Sequence, residues 1–445
     1  MNNEQIYPLP FIERMQSQLR GEFQTFMEVL NGASPTSIRL NKEKTTGKFN
    51  HEENIAWSLD GKYLQERPSF TFDPLFHAGA YYVQEASSMF VEEVWKQLGL
   101  ANKTLKVLDL CAAPGGKSTH LLSLMSNESF LVTNEIISNR NKILQQNIIK
   151  WGYANCIITQ NKPEDFALLE NYFDVILVDA PCSGEGLFRK DKNAVEEWSE
   201  KNVAMCAMRQ QDIIRHAAAC LKPGGCLIYS TCTYELGEND DNVAALNQLG
   251  LQTVTIDIAA YPGIVKTKYG CQFYPHKIKG EGFYIAALIK QGAANNVTGP
   301  PPASKKAGIP NKAFETYLTA QGSFTEFKKN DFIFAIPTFM FHDFSILEKR
   351  LYIRNTGILM GSMKGNDFLP AHDLALSNEV RKDIQAVELT EEQAIVYLRC
   401  ETPKLNSELR GWTLARYHGL NLGWMKLMPG RLNNYFPKDW RILKR

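Results

Sequence analysis

The spacing of hydrophobic positions changes twice along the chain. From Pro10 to Leu30 the residues Phe11, Met15, Leu19, Phe23, Phe26 and Leu30 recur three or four apart, which predicts one amphipathic helix with a single buried stripe. Ser34, Pro35 and Thr36 break it, and SIRLNKEK from Ser37 reads as a short strand carrying Arg39 and Lys42. A small N-terminal module of helices and strands is expected to about residue 70. His77 to Met89, HAGAYYVQEASSM, runs into a predicted helix over Ala86 to Trp95.

From Thr104 short apolar runs alternate with helical spacing. The runs are Leu105–Leu110, Phe130–Thr133, Cys156–Thr159, Val175–Val178 and Cys226–Ser230, and the helical segments include Lys117–Met125, Ser138–Trp151 and Val203–Leu221. Such alternation predicts an α/β fold, a parallel sheet with helices on both faces. GFYIAALI, Gly282 to Ile289, adds a strand after a long loop. QGAANNVTGPPPASKKA, Gln291 to Ala307, reads as a linker. Beyond it, Phe332 to Phe341 is an aromatic β-like run, and mixed segments reach Cys400.

Composition narrows the possibilities. A chain of 445 residues, 44% hydrophobic and 22% charged, has room for two to four domains and gives no sign of wholesale disorder. Net charge is +1, so nucleic acid must be held by local patches and not by a global basic field. Glu401 to Arg445 supplies one: nine Lys or Arg stand against three Asp or Glu, among Trp412, Tyr417, Trp424, Tyr435, Phe436 and Trp440. That mixture fits an RNA-facing β module or a solvated basic tail with a small aromatic core. The nine cysteines are odd in number and include no C-x-x-C pair, which argues against a disulfide framework or a metal site and suits free thiols in a reducing cytoplasm. No cationic leader opens the chain and no stretch has transmembrane length.

Three segments offer chemistry. In DVILVDAPCSGEG, Asp174 to Gly186, a buried strand ends at Asp179 and Pro181 forces a turn that carries Cys182. Ligands of open α/β sheets bind beyond such carboxyl ends. In VLDLCAAPGGKST, Val107 to Thr119, a strand ends at Asp109 and a small-residue loop turns at Pro114, Gly115 and Gly116 into a helix near Lys117. Cys111 stands where a Walker loop needs glycine, and the dinucleotide G-x-G-x-x-G spacing is missing. A loop suited to a nucleoside with a short, partly cationic tail remains. Glu135 closes the next strand 19 residues past Gly116, where an acidic residue binds ribose hydroxyls in such folds. In IYSTCTYE, Ile228 to Glu235, a strand runs into Cys232. With doubly wound order this strand lies ~5 Å from the one ending at Asp179, so that Asp179, Cys182 and Cys232 converge. Two thiols and a carboxylate suit covalent catalysis on an electron-poor ring. Cys206 and Cys220 read as small core residues.

Together, DLCAAPGGK, DAPCSGEG and STCTY resemble the RNA (cytosine-5) methyltransferases of the Sun/RsmF type in order and spacing. SIRLN and YYVQEASSM resemble that family's N-terminal motifs, and GLNLGWMKLMPGRLNNYFPKDWR is similar to the PUA-like RNA-binding module of the RsmF branch. The resemblance is weakest between about residues 310 and 385. It implies a Rossmann-like core over 71–291, an N-terminal RNA-binding module over 1–70, a linker over 292–307, an α+β unit over 308–385 and a PUA-like module over 386–445. By the same resemblance Cys111, Ala112, Ala113, Pro114, Gly115, Gly116 and Lys117 wrap S-adenosyl-L-methionine. Glu135 holds its ribose, and Asn161 stands near its adenine where many members have Asp. Asp179 lines the site, Cys232 is the nucleophile and Cys182 acts in product release. The expected partner is RNA, small-subunit ribosomal RNA before transfer RNA, for a cytoplasmic monomer. A DNA cytosine-5 methyltransferase and an RNA-binding assembly factor are the rival readings.

Overall fold

The apolar runs form the parallel centre of a ten-stranded sheet in a computed structural model that describes residues 7–292, 312–319, 323–365 and 367–443. The expected linker lies outside the described residues from position 293 on. The five parallel strands stand side by side in the order Leu221–Thr231, Phe173–Asp179, Lys106–Asp109, Phe130–Asn134, Cys156–Thr159. The chain moves outward one way from Lys106–Asp109, then returns to its other side for the last two. This reversal opens a crevice at the carboxyl ends of Lys106–Asp109 and Phe173–Asp179. Phe283–Lys290 pairs antiparallel beyond Leu221–Thr231. Leu108, Val132, Ile157, Ile176 and Leu227 are all fully or almost fully buried, as a sheet covered on both faces requires. No helix of the described residues is long and apolar enough to cross a membrane.

The expected single helix from Pro10 to Leu30 is two helices, Leu9–Leu19 and Phe23–Leu30, separated by a tight turn at Arg20–Glu22. Arg20 takes a left-handed φ of 49° beside Gly21. The bend lets both apolar stripes close on one cluster: Phe11 packs on Phe188 and Trp198, Phe26 on Tyr234 and Tyr274. Thr36–Leu40 is central in a four-stranded sheet, between Gly61–Leu64 and Tyr81–Val83. The helix expected over Ala86 to Trp95 is a tight turn at Ser87–Phe90 continuing as Val91–Gln97.

Buried cations fasten these parts together. Arg39 is 1% exposed, donates to Gln84 Oε1 at 2.8 Å and Thr119 Oγ1 at 2.6 Å, and stacks its guanidinium 4.4 Å from the Trp151 ring. Burial lowers its pKa to about 9. Lys44 donates to the carbonyls of Ala78, Lys150 and Leu376 at 3.1, 2.6 and 2.7 Å.

Past the linker, Ile353–Thr356 pairs antiparallel with Cys156–Thr159 and so extends the central sheet. The expected aromatic β run ends early: Phe332–Pro337 is a strand, after which Thr338–Met340 turns into the helix Phe341–Leu347. A proline supplies no N–H to continue the ladder. The last sheet joins Ala386–Glu388, Gly411–Tyr417, Leu420–Met428 and Arg431–Asn434. Of its aromatics Trp424 and Phe436 are buried, Trp412, Tyr417 and Trp440 are half-buried, and Tyr435 is exposed with its ring centre 4.5 Å from that of Trp412.

Arg39→Met leaves Gln84 and Thr119 without their donor, and is expected to lower unfolding free energy by about 2–4 kcal/mol. Urea unfolding of the two proteins checks it; an unchanged midpoint contradicts it.

Candidate active site

At the end of Lys106–Asp109 the chain must turn within six residues to begin the helix Gly116–Leu124. Gly115 makes the turn with a φ of +108°, a left-handed value that a side chain would resist. Around it the Ala113 carbonyl accepts from Arg140 Nη2 and the Pro114 carbonyl from Asn147 Nδ2, both at 2.8 Å. Tyr82 backs the loop so closely that a Cβ on Gly116 would lie 3.2 Å from its ring. Glu135 follows the next strand; its Oε1 accepts from the Ile137 N–H at 2.8 Å, and Arg140 lies 3.4 Å from Oε2.

Parallel pairing of Phe173–Asp179 with Leu221–Thr231 sets Asp179 opposite Ser230. The Asp179 carboxylate accepts from Ser230 Oγ at 2.7 Å and forms an ion pair with Lys117 Nζ at 2.8 Å. Burial opposes the charge on Lys117, but Asp179 outweighs it and the lysine pKa is raised; Cys232 lies within the same electrostatic reach. The turn after Asp179 and the end of the neighbouring strand bring Cys182 Sγ to 3.1 Å from Cys232 Sγ. Cys182 Sγ also accepts from the Cys232 N–H at 3.3 Å. The hydrogen-bonded Cys232 thiol, and then burial, push the Cys182 thiol well above its ordinary range. Burial likewise raises the Cys111 thiol, with Asp109, Asp179 and Glu135 adding to the effect.

A cavity of about 920 Å³ runs through these groups. It touches Asp109, Cys111, Glu135, Lys117, Asp179, Cys182 and Cys232. Ala112, Ala113, Pro114 and Gly116 line it too, while Gly115 turns away toward Leu144 and Asn147. Asn161 is not brought to the cavity. Its Oδ1 accepts from the Tyr352 N–H at 2.8 Å and its Nδ2 donates to the Tyr352 carbonyl at 3.1 Å. The amide thus docks the C-terminal segment onto the sheet edge, with both its oxygen and its nitrogen engaged by the Tyr352 backbone.

Two contributors escape sequence reasoning. Ser230 opens the STCTY motif, but nothing in the sequence shows that its hydroxyl donates to Asp179. Glu238 is fully buried; its Oε2 accepts from the Ser183 N–H at 3.0 Å and from Gln210 Nε2 at 2.7 Å, and Gln210 Nε2 also reaches the Pro181 carbonyl at 2.9 Å. It steadies the Cys182 turn from below, and burial pushes its carboxyl up to about 7. Its only sequence signal is its position six residues past Cys232.

Asp109 accepts from Ser118 Oγ at 2.6 Å through one oxygen, while its other oxygen is buried with no partner among the described residues. Burial raises its pKa to about 7, with the Ser118 hydrogen bond opposing and Asp179 adding. A carboxyl raised in the folded state binds its proton more tightly there, so its contribution to stability is full below pH ~4 and is lost as pH rises through ~7. Relative to Asp109→Asn, the wild type is expected to lose on the order of 2–4 kcal/mol across that window. Denaturant unfolding at several pH values measures the difference, and a pH-independent gap between the two proteins contradicts it.

Residues 97–289 match the family described as 16S rRNA methyltransferase RsmB/F. Residues 7–86 match the N-terminal domain of 16S rRNA methyltransferase RsmF, and residues 384–442 match the methyltransferase RsmF PUA domain. The chain is 32% identical over 439 residues to ribosomal RNA small subunit methyltransferase F of Shewanella loihica, covering 91% of this chain and 88% of the relative. The same-named protein of Shewanella piezotolerans is 30% identical over 436 residues, covering 91% and 90%. Among solved structures, a methyltransferase homolog protein from Pyrococcus horikoshii is 26% identical with a TM-score of 0.55, over 64% of this chain and 95% of that one. NSun6 from the same organism, solved with SFG, shares the fold at 21% identity and a TM-score of 0.56, over 65% and 99%. Sequence, fold and crevice agree, and the chain belongs to the ribosomal RNA small subunit methyltransferase F family of S-adenosylmethionine-dependent enzymes.

Proposed function

We propose that this protein methylates carbon 5 of a cytosine in small-subunit ribosomal RNA, through a covalent adduct between Cys232 and carbon 6 of the base. The observation that carries the proposal is the 3.1 Å approach of the Cys182 and Cys232 sulfurs in the cavity shared with Asp179 and the glycine loop. One thiol would suffice for a single nucleophilic role; a second beside it suits a reaction that must both make and release an adduct.

The cavity fits S-adenosylmethionine on its own terms. About 920 Å³ is room for a nucleoside and an incoming base together, and Asp109, in the cavity wall, has a buried Oδ1 with no hydrogen-bond partner among the described residues. Backbone from Cys111 to Lys117 would hold the ligand, and Glu135 would take its ribose hydroxyls. When bound, it supplies an electrophilic methyl group on a sulfonium.

The remaining work falls to the protein. Carbon 5 of cytosine is a poor nucleophile. Addition of the Cys232 thiolate at carbon 6, with a proton delivered at N3, breaks the C5–C6 double bond and leaves an electron-rich enamine across C4 and C5. Asp179 passes to N3 a proton drawn from the Lys117 ammonium paired to it, and then accepts the N3–H hydrogen bond. Carbon 5 takes the methyl group and then loses its hydrogen as a proton. The C6–S bond breaks, the ring double bond returns, N3 gives back its proton and Cys232 leaves as thiolate. Cys182, protonated and in contact with that sulfur, acts in the release. The target base must leave its stack to reach the cavity. The enzyme acts where its RNA is made, in the cytoplasm.

Cys232→Ala is expected to abolish methylation, whereas Cys182→Ala accumulates RNA-bound protein that survives a denaturing gel. The opposite pairing would assign the nucleophile to Cys182. Asp179→Asn, which loses the Lys117 ion pair and the N3 proton site, is expected to lower kcat by about 10²-fold; single-turnover methyl transfer reads it. Bisulfite sequencing of ribosomal RNA from cells with and without the protein tests the reaction itself, and an identical pattern would contradict it.

A further inference from the structure

We propose that Arg14, in the N-terminal helix, is a positioning residue that sets the gap between the Cys182 and Cys232 sulfurs by tying together Glu185 and Glu235. The proposal rests on the covalent reading above. Each acid stands three residues beyond its thiol, in CSGE and CTYE. The Arg14 guanidinium reaches both: Nη2 pairs with Glu185 Oε1, and Nε lies 2.9 Å from Glu235 Oε2. A guanidinium fork is the side chain able to hold two carboxylates in fixed directions at once.

The anchorage is built in on every side. Glu185 has no exposed surface; it also accepts from Trp198 Nε1 at 2.9 Å and from the Tyr234 N–H at 3.2 Å. That second bond joins the acid of the first loop to the backbone of the second. A buried carboxylate needs its counter-charge, so the Arg14 contact belongs to the folded site and not to a solvated surface. One residue on, the Gly186 N–H donates to the Cys232 carbonyl at 2.8 Å, and a Cβ there would lie 2.3 Å from the Gly282 carbonyl and 3.0 Å from the Cys232 carbonyl. The two loops therefore touch backbone to backbone, without slack. Four residues along the same helix, Gln18 donates to Tyr274 Oη at 2.8 Å and toward the Tyr234 carbonyl at 3.4 Å. The helix's buried stripe, Phe11, Met15 and Leu19, packs into the cluster formed by Phe188, Trp198, Tyr234 and Tyr274. All four follow one thiol or the other in sequence. The first helix is thus a clamp laid over both catalytic loops. Displacements of ~1 Å at reacting groups cost on the order of 10²-fold in rate, so a clamp this near the sulfurs acts on turnover.

The test uses full-length Arg14→Met and Glu235→Gln. Arg14→Met strands a buried carboxylate and can unfold the protein; Glu235→Gln breaks one arm of the bridge at a partly exposed residue, with Glu185 still paired. Phenylarsine oxide condenses with two neighbouring thiols to give a cyclic dithioarsonite and one water, and Cys182→Ala identifies the pair it captures. In RNA-free protein of cooperative melting, the trapping rate is expected to fall about tenfold in each folded variant, while kcat drops about tenfold and KM for RNA stays within about twofold. Trapping and kcat equal to wild type in the folded variants overturn the proposal. So does a raised KM with kcat intact, which would make Arg14 an RNA contact. If trapping responds as expected in a protein that methylates no RNA, the clamp stands and the functional reading falls.

Discussion

Everything at the site depends on one pairing, that of two parallel strands entering the crevice side by side. Phe173–Asp179 and Leu221–Thr231 share a ladder in which Asp179 faces Ser230, and each strand ends in a turn carrying a thiol. A shift of two residues in that register would move Cys232 by about 7 Å and separate it from both Cys182 and the carboxylate. Burial holds the register: Val175, Ile176, Leu177, Val178, Leu227 and Ile228 have no exposed surface, and a slip by one residue would exchange the two faces of the strand.

Charge is paired where this ladder ends. Lys117 leaves the glycine loop to meet Asp179 across the crevice. The lysine therefore links the loop expected to hold the methyl donor to the carboxylate expected to hold the base. Farther out, Arg39 fastens the N-terminal sheet to the helix that begins in the glycine loop, through Thr119. Lys44 joins three chain segments through their carbonyls. The N-terminal and C-terminal parts are in this sense built into the catalytic unit.

The parallel centre was legible in the sequence because buried strands leave continuous apolar runs, and each of the five predicted runs has its strand. The convergence of Asp179, Cys182 and Cys232 followed from strand order plus the turn signal at Pro181. Features set by tertiary contact were not legible. The bend at Arg20–Glu22 exists because two helical stripes wrap one cluster, and periodicity alone continues through it. Asn161 sits at a strand end where a ligand group is expected, yet its amide is taken by the Tyr352 backbone 191 residues away. Glu238 and Arg14 carry no local motif, and Ser230 opens STCTY without showing its partner; only packing reveals what they hold.

The central claim is that Cys232 attacks the base that Asp179 holds, with Cys182 beside it for release. RNA containing 5-fluorocytosine tests this most directly, because fluorine cannot leave carbon 5 as a proton does and the adduct persists. After incubation with S-adenosylmethionine and nuclease digestion, peptide mass spectrometry should find the fluorinated, methylated nucleotide on the peptide containing Cys232. Attachment at Cys182, or no covalent product from an actively methylating enzyme, would contradict the account.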